Sequence, residues 1–170
     1  GAQFYAHHAL RLAATALPRC ADNSDDREAR QDMLLASYYA GRSLDMCSAS
    51  LAHWMSHAIA GIKPVHHGLA TALSFEICLP HLLAANPSAG EAAAQAFGAE
   101  SAAALPDYLC QFFARIGLER KLPDSFSMVT ADDIFVALQT PETESIRLSC
   151  PIYPDDELAR RYAYALAALS

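Results

Sequence analysis

The sequence predicts an all-α fold, a bundle of several helices, and three observations carry that prediction. Apolar residues recur three and four positions apart over long stretches, the period that lines one face of a helix. No stretch alternates apolar and polar residues convincingly over the length of a strand. Hydrophobic residues make up 53% of the 170, enough for one sizeable core, in a chain too short to hold a dinucleotide-binding domain as well. A single helical domain over residues 1–170 is therefore expected.

Residues 3–17 read as the first helix, with Phe4, Ala9, Leu10, Leu12, Ala13 and Leu17 on its apolar stripe and Pro18 ending it. The polar run Asp22-Asn23-Ser24-Asp25 favours a turn, because its short side chains compete for backbone hydrogen bonds. Helical spacing returns over residues 25–48 in Ala29, Met33, Leu34, Ala36, Tyr38, Ala40 and Leu44. Gly41 inside that helix costs about 1 kcal/mol relative to Ala, which points to close packing. The small residues Cys47, Ser48, Ala49 and Ser50 would let the following helix approach a neighbour closely.

Residues 50–60 form the next expected helix, broken by Gly61 and Pro64. Residues 68–85 are nearly all apolar and read as a buried helix that Pro80 kinks rather than ends. Its one carboxylate, Glu76, must be exposed or find a partner, since an unpaired buried charge is costly. Asn86-Pro87 stops that helix, and Ser88-Ala89-Gly90-Glu91 reads as a capping box opening a short helix to Phe97. Residues 105–116 are amphipathic, clustering Leu109, Cys110, Phe112, Phe113 and Ile116, with Gly117 as C-cap. A loop around Pro123 follows, then a capping signal, Thr130-Ala131-Asp132-Asp133, for a helix through Leu138. Three prolines make residues 141–154 irregular, and Asp155, Asp156 and Glu157 suit the positive end of a last helix reaching about Leu169.

Composition excludes some functions. A formal charge of -7, with scattered Lys and Arg, argues against nucleic acid or an anionic membrane as partner. Five widely spaced cysteines without a Cys-x-x-Cys fit buried free thiols in a reducing cytoplasm better than a disulfide framework. No apolar run is expected to reach the roughly 20 residues of a membrane span, and the start lacks the pattern of a signal peptide. The chain opens inside an apparent helix, so a trimmed chain is expected.

Residues 51–81 gather His53, His57, His66, His67 and His81. On a helix, His53 and His57 lie one turn apart on the same face, a separation that lets two imidazoles converge on one point. The turn at Gly61 and Pro64 would bring His66 or His67 back toward that face, and neutral imidazole is a common ligand of transition metals. The same spacing also suits a structural pair of histidines. The His-Glu-x-x-His zinc-protease motif is absent, since Trp54 stands where its Glu would be. Whether Trp54 narrows a pocket or points into the core is open at this level. His81 lies a full helix beyond the turn and reads as structural.

The run Asp32-Met33-Leu34-Leu35-Ala36-Ser37, then Leu51-Ala52-His53-x-Met55-x-His57-x-Ile59-x-Gly61, then His67-Gly68-Leu69-Ala70-x-Ala72 and Leu79-Pro80-His81 with Asn86 resembles the metal-binding helical domain of the iron-dependent (group III) alcohol dehydrogenases. The resemblance implies the C-terminal domain of the dehydroquinate synthase-like/iron alcohol dehydrogenase fold. It implies that His53 and His67 are metal ligands, for Fe2+ or Zn2+, and that His57 lines the reaction site as a catalytic residue. It further implies NAD(P) as cofactor, held mainly by an N-terminal domain, a small alcohol or aldehyde as substrate, and room for a homodimer. The family supplies two more ligands, an Asp and a His on an earlier helix, and no Asp-x-x-x-His precedes His53 here. No Gly-rich turn between a strand and a helix is present either, so the chain reads as a C-terminal fragment, inactive alone. Trp54, Ala58 and His66 depart from the family's usual residues. The alternative reading is a stand-alone helical binding or interaction module whose histidines are structural.

Overall fold

Helix starts in this chain are set largely by short side chains that accept otherwise unpaired backbone N–H groups. Asp26 accepts from the Ala29 N–H, Asn86 from Ala89 and Asp155 from Leu158. Thr130 and Asp133 form the reciprocal capping box that their spacing predicts. The computed structural model describes residues 1–48 and 50–170. In order, its helices are α1 (Ala2–Asp22), α2 (Arg27–Met46), α3 (Leu51–Ile62), α4 (His67–Ala85), α5 (Pro87–Phe97), α6 (Leu105–Arg115), α7 (Ala131–Leu138), α8 (Pro141–Ser149) and α9 (Asp156–Ala167). A short 3-10 turn lies at Asp124–Phe126, and the described residues include no strand, so the all-α expectation holds. Ala49, in the expected small-residue run, lies outside the described residues.

The chain forms two compact units, one of Gly1–Cys47 with Leu83–Glu119 and the other of Ser48–Leu82 with Arg120–Ser170. In the first, α1 and α2 run antiparallel. Ser43 near the end of α2 donates to the Ala2 carbonyl, while Arg19 pairs with Asp26 and Glu28 across the turn at the other end. The buried faces carry alanines, Ala9 and Ala16 against Ala29 and Ala36, so the backbones can approach closely. Pro18 does not end α1, contrary to expectation. Proline removes one N–H near the end of the helix, and the Asn23 N–H still closes the final turn on the Arg19 carbonyl.

Phe97 of α5 packs on Phe112 of α6, with ring centres 4.9 Å apart. The expected Ser88 to Glu91 capping box is not formed. Asn86 is the cap, Pro87 takes the first helical position, where a missing N–H costs nothing, and Glu91 accepts instead from the Ala102 N–H. Gly98 and Gly117 close α5 and α6 with φ of 91° and 72°, a conformation that glycine adopts without strain.

The second unit is built around α3. Leu51, Ala52, Trp54, Met55, Ala58 and Ile59 are all buried, packed with Leu73 and Cys78 of α4, Ile134 and Leu138 of α7, and Tyr162 and Leu166 of α9. Trp54 is fully buried, and its Nε1–H donates to the Leu138 carbonyl at 3.2 Å, which settles its orientation as core. That carbonyl is one of the last four of α7, which lack helical partners. The Thr143 hydroxyl reaches it too, at 3.1 Å.

Residues 141–149 are helical rather than irregular, because Pro141 begins α8 at its first position instead of breaking it. On α8 the buried Arg147 guanidinium donates to the Pro154 carbonyl, Gln139 and Asp156, tying α8 to the start of α9. Glu76 on α4 is paired with Arg120. Pro80 lies inside α4, and that helix is less uniformly buried than expected, with Ala70, Leu73, Ser74, Cys78 and Leu79 facing the core. By length and composition α4 is long and apolar enough to cross a membrane, which corrects the expectation that no run reaches that length. Of the cysteines, Cys78 and Cys150 are buried as expected, whereas Cys47, capping the end of α2, is exposed.

Replacing Trp54 by Ala removes the largest buried side chain of this unit and the indole bond to α7. The expected cost is about 3–5 kcal/mol of stability, measured by urea unfolding. A loss below about 1 kcal/mol would show that α3 is held elsewhere.

Candidate functional site

The packing of α3 decides where its histidines point. With Trp54, Met55, Ala58 and Ile59 turned into the core, helical geometry puts His53 and His57 together on the adjoining, less buried face. The helix ends at Ile62, and Lys63 leaves it in extended conformation ahead of Pro64. Val65 packs back onto the core, and α4 starts at His67. The short connection therefore returns His67 to the histidine face of α3.

The ring centres of His53 and His67 are 5.8 Å apart, and those of His57 and His67 are 5.5 Å apart. His67 thus sits between the other two. Two imidazoles sharing one ion at about 2.1 Å in a tetrahedral arrangement have centres about 5 Å apart, so the observed spacing needs only a small side-chain adjustment. Among the described residues, no group of three His, Cys, Asp or Glu is already arranged to hold a metal. His53 and His67 can therefore supply part of a donor set.

His66 does not join them. Its exposed ring lies over Gly68, where an added Cβ would come within 3.2 Å of the imidazole. His81 meets the edge of Tyr162 at 5.5 Å, on the core side of α4, in keeping with a structural role. The sequence reading overlooked Thr71, one helical turn after His67, whose hydroxyl lies 3.5 Å from His67 Nε2. The spacing of four within α4 was the available signal.

Burial first, and the neighbouring rings of His67 and His57 after it, hold the pKa of His53 below the ordinary imidazole value. The neutral ring is thereby favoured, which is the form that ligates metals. Its Nδ1 is buried without a hydrogen-bond partner. An unpaired buried polar atom costs about 1–3 kcal/mol, and His53 shares this state with His81 Nδ1, Ser74 Oγ and the Tyr162 hydroxyl.

His57 also opens onto a cavity of about 310 Å³ lined by Gly61 and Ile62 of α3, Ala137 of α7, and Thr140 and Glu142 at the start of α8. Thr140 and Glu142 fell in or beside the stretch read as irregular. Thr140-Pro141-Glu142 carries the N-cap, first-position proline and acidic first turn that mark a helix start.

A family model described as "Fe-containing alcohol dehydrogenase family, C-terminal" matches residues 3–137. The mitochondrial hydroxyacid-oxoacid transhydrogenase of Xenopus laevis is 32% identical over 180 residues, covering 91% of this chain and 38% of that protein. The NAD-dependent methanol dehydrogenase of Bacillus methanolicus is 32% identical over 82 residues, 48% of this chain and 20% of that protein. Among solved structures, sulfoacetaldehyde reductase from Bifidobacterium kashiwanohense, in complex with NAD+, superposes with a TM-score of 0.81 at 21% identity, over 99% of this chain and 44% of that one. That likeness establishes the fold. The chain spans less than half the length of these relatives.

Because its folded pKa is depressed, His53 binds its proton less readily than in the unfolded chain. Its contribution to stability is complete above about pH 6.5 and is lost as pH falls from there toward the lower folded value. In the metal-free chain, His67→Ala removes the second cause of the shift and leaves the first. NMR titration should show the His53 pKa rising while staying below the ordinary value; an unchanged pKa would mean the two rings do not interact.

Proposed function

Because the chain belongs to the Fe-containing alcohol dehydrogenase family, we propose that it is the metal-binding helical part of an NAD(P)-dependent alcohol dehydrogenase or aldehyde reductase. The meeting of the His53 and His57 rings with that of His67, at 5.8 and 5.5 Å, is the observation that carries this reading. A stand-alone module with structural histidines is not favoured by family membership.

In this reading His53 and His67 hold a divalent metal, Fe2+ or Zn2+. The two residues suit that role, since the His53 ring is biased toward its neutral form and has a buried nitrogen without a partner. When bound, such an ion supplies Lewis-acid polarisation of an alcohol or carbonyl oxygen. Thr71 stands beside His67 Nε2 and restrains that ring. His57 is the proton relay: it is exposed, neighbours His67 and opens onto the cavity, and imidazole exchanges protons readily near neutrality.

The substrate is a small alcohol or aldehyde, in line with the methanol dehydrogenase among the relatives, whereas the transhydrogenase is named for hydroxy- and oxoacids. For the nicotinamide cofactor this chain offers no fit. Its described residues include no strand leading into a Gly-rich turn, and no step involving NAD(P) is assigned to them. A preceding dinucleotide-binding domain is the proposed holder, consistent with the 38% of the transhydrogenase that this chain spans. The remaining metal ligands would also lie outside the chain, which by itself should not turn over substrate.

The test uses the full-length protein. His67→Ala should lower bound metal and reduce kcat/KM about 100-fold or more, with the circular dichroism unchanged because His67 is exposed at the start of α4. Retained activity with a full complement of metal would remove His67 from the site.

A further inference from the structure

The cavity beside His57 has a charge character that the histidines do not account for. Besides imidazole, its wall carries one ionisable side chain, Glu142, and no Lys or Arg. Glu142 is exposed, and among the described residues no ion pair or hydrogen bond engages its carboxylate.

Two electrostatic effects compete at this wall. The N-terminus of α8 begins here, and a helix N-terminus draws anions through its free N–H groups and its dipole. In α8 that pull is partly answered. Pro141 has no N–H to offer, and the N–H groups of Thr143 and Glu144 both bond to the Thr140 carbonyl. Glu142 and Glu144 then place two carboxylates on the first turn. The Thr143 hydroxyl is committed to the carbonyls of Ala137, Leu138 and Thr140, and the Thr140 hydroxyl lies 3.3 Å from it, so the His57 ring is the side chain of the wall left to hydrogen-bond a ligand beside Glu142. A like charge about 4 Å away weakens the binding of an anion by about fivefold even in water-like surroundings.

We infer that Glu142 is a specificity-determining residue, restricting the cavity to hydroxyl- or aldehyde-bearing compounds that carry no carboxylate or sulfonate. The inference deepens the proposed dehydrogenase reading and rests on it for the reaction, though not for the binding.

Three two-carbon probes of matched size separate the cases: ethylene glycol, ethanolamine and glycolate. In the metal-free chain, the His57 ring signals should respond to the diol and the amino alcohol at concentrations about fivefold lower than to glycolate. Glu142→Gln should bring glycolate level with the diol, and Glu142→Lys should reverse their order. In the full-length protein the kcat/KM ratio of diol to glycolate should move in the same direction in both variants. The inference is overturned if glycolate acts at the lowest concentration in the unaltered chain, if both variants leave the ratio unchanged, or if no probe moves His57. The predicted charge order in binding, with no turnover by the full-length protein, would defeat the dehydrogenase reading and leave this inference standing. Metal-dependent turnover indifferent to Glu142 would do the opposite.

Discussion

The indole bond from Trp54 to the Leu138 carbonyl is the constraint on which the arrangement of this site depends. It fixes the rotation of α3 about its own axis, since a helix with Trp54 in the core has only one way to present its remaining faces. The bond also helps to satisfy an α7 carbonyl that has no helical partner. The Thr143 hydroxyl shares that acceptor, and the Arg147 guanidinium lies 5.8 Å from the centre of the Trp54 ring. Core packing and the aiming of His53 and His57 are therefore one event. The apolar side chains that stabilise this unit are the reason the imidazoles lie where His67 returns to meet them.

The polar parts of the unit divide into three kinds. Arg147 is buried and fully engaged, donating to a carbonyl, an amide oxygen and a carboxylate, so its burial is compensated. His53 is only partly compensated, with a buried nitrogen that finds no acceptor or donor and a ring biased toward neutrality. An apolar residue at position 53 would avoid that cost. Glu142 is a third kind, a carboxylate at the rim of a cavity with its charge left unanswered. Local irregularities of this sort gather where binding or chemistry takes place.

Much of this was legible in the sequence, and the parts that were not have physical causes. The spacing of four between His53 and His57 and the Gly61 and Pro64 turn before His67 were enough to anticipate the meeting of the rings, because helical periodicity and a short connection leave few alternatives. The cap at Thr130 and the acidic start of α9 were readable for the same local reason, though Asp155 proves to be the cap rather than part of the first turn. Prolines were the main source of error. Pro18 lies near the end of α1, where it removes only one bond, and Pro141 begins a helix that was read as irregular. Missing α8 concealed Thr143, Arg147 and Glu142 together. Their roles depend on residues brought close by the fold, as between Thr143 and the Trp54 acceptor Leu138, and no periodicity carries that information.

The central claim is that His53 and His67 of this chain share one metal ion with donors contributed from outside it. Anomalous diffraction from crystals of the full-length protein, collected at the absorption edge of the bound metal, tests it most directly. A single peak within coordination distance of both imidazoles, with His57 beside it, is the predicted result. A peak elsewhere in the protein, with the His53 and His67 rings unligated, would contradict it.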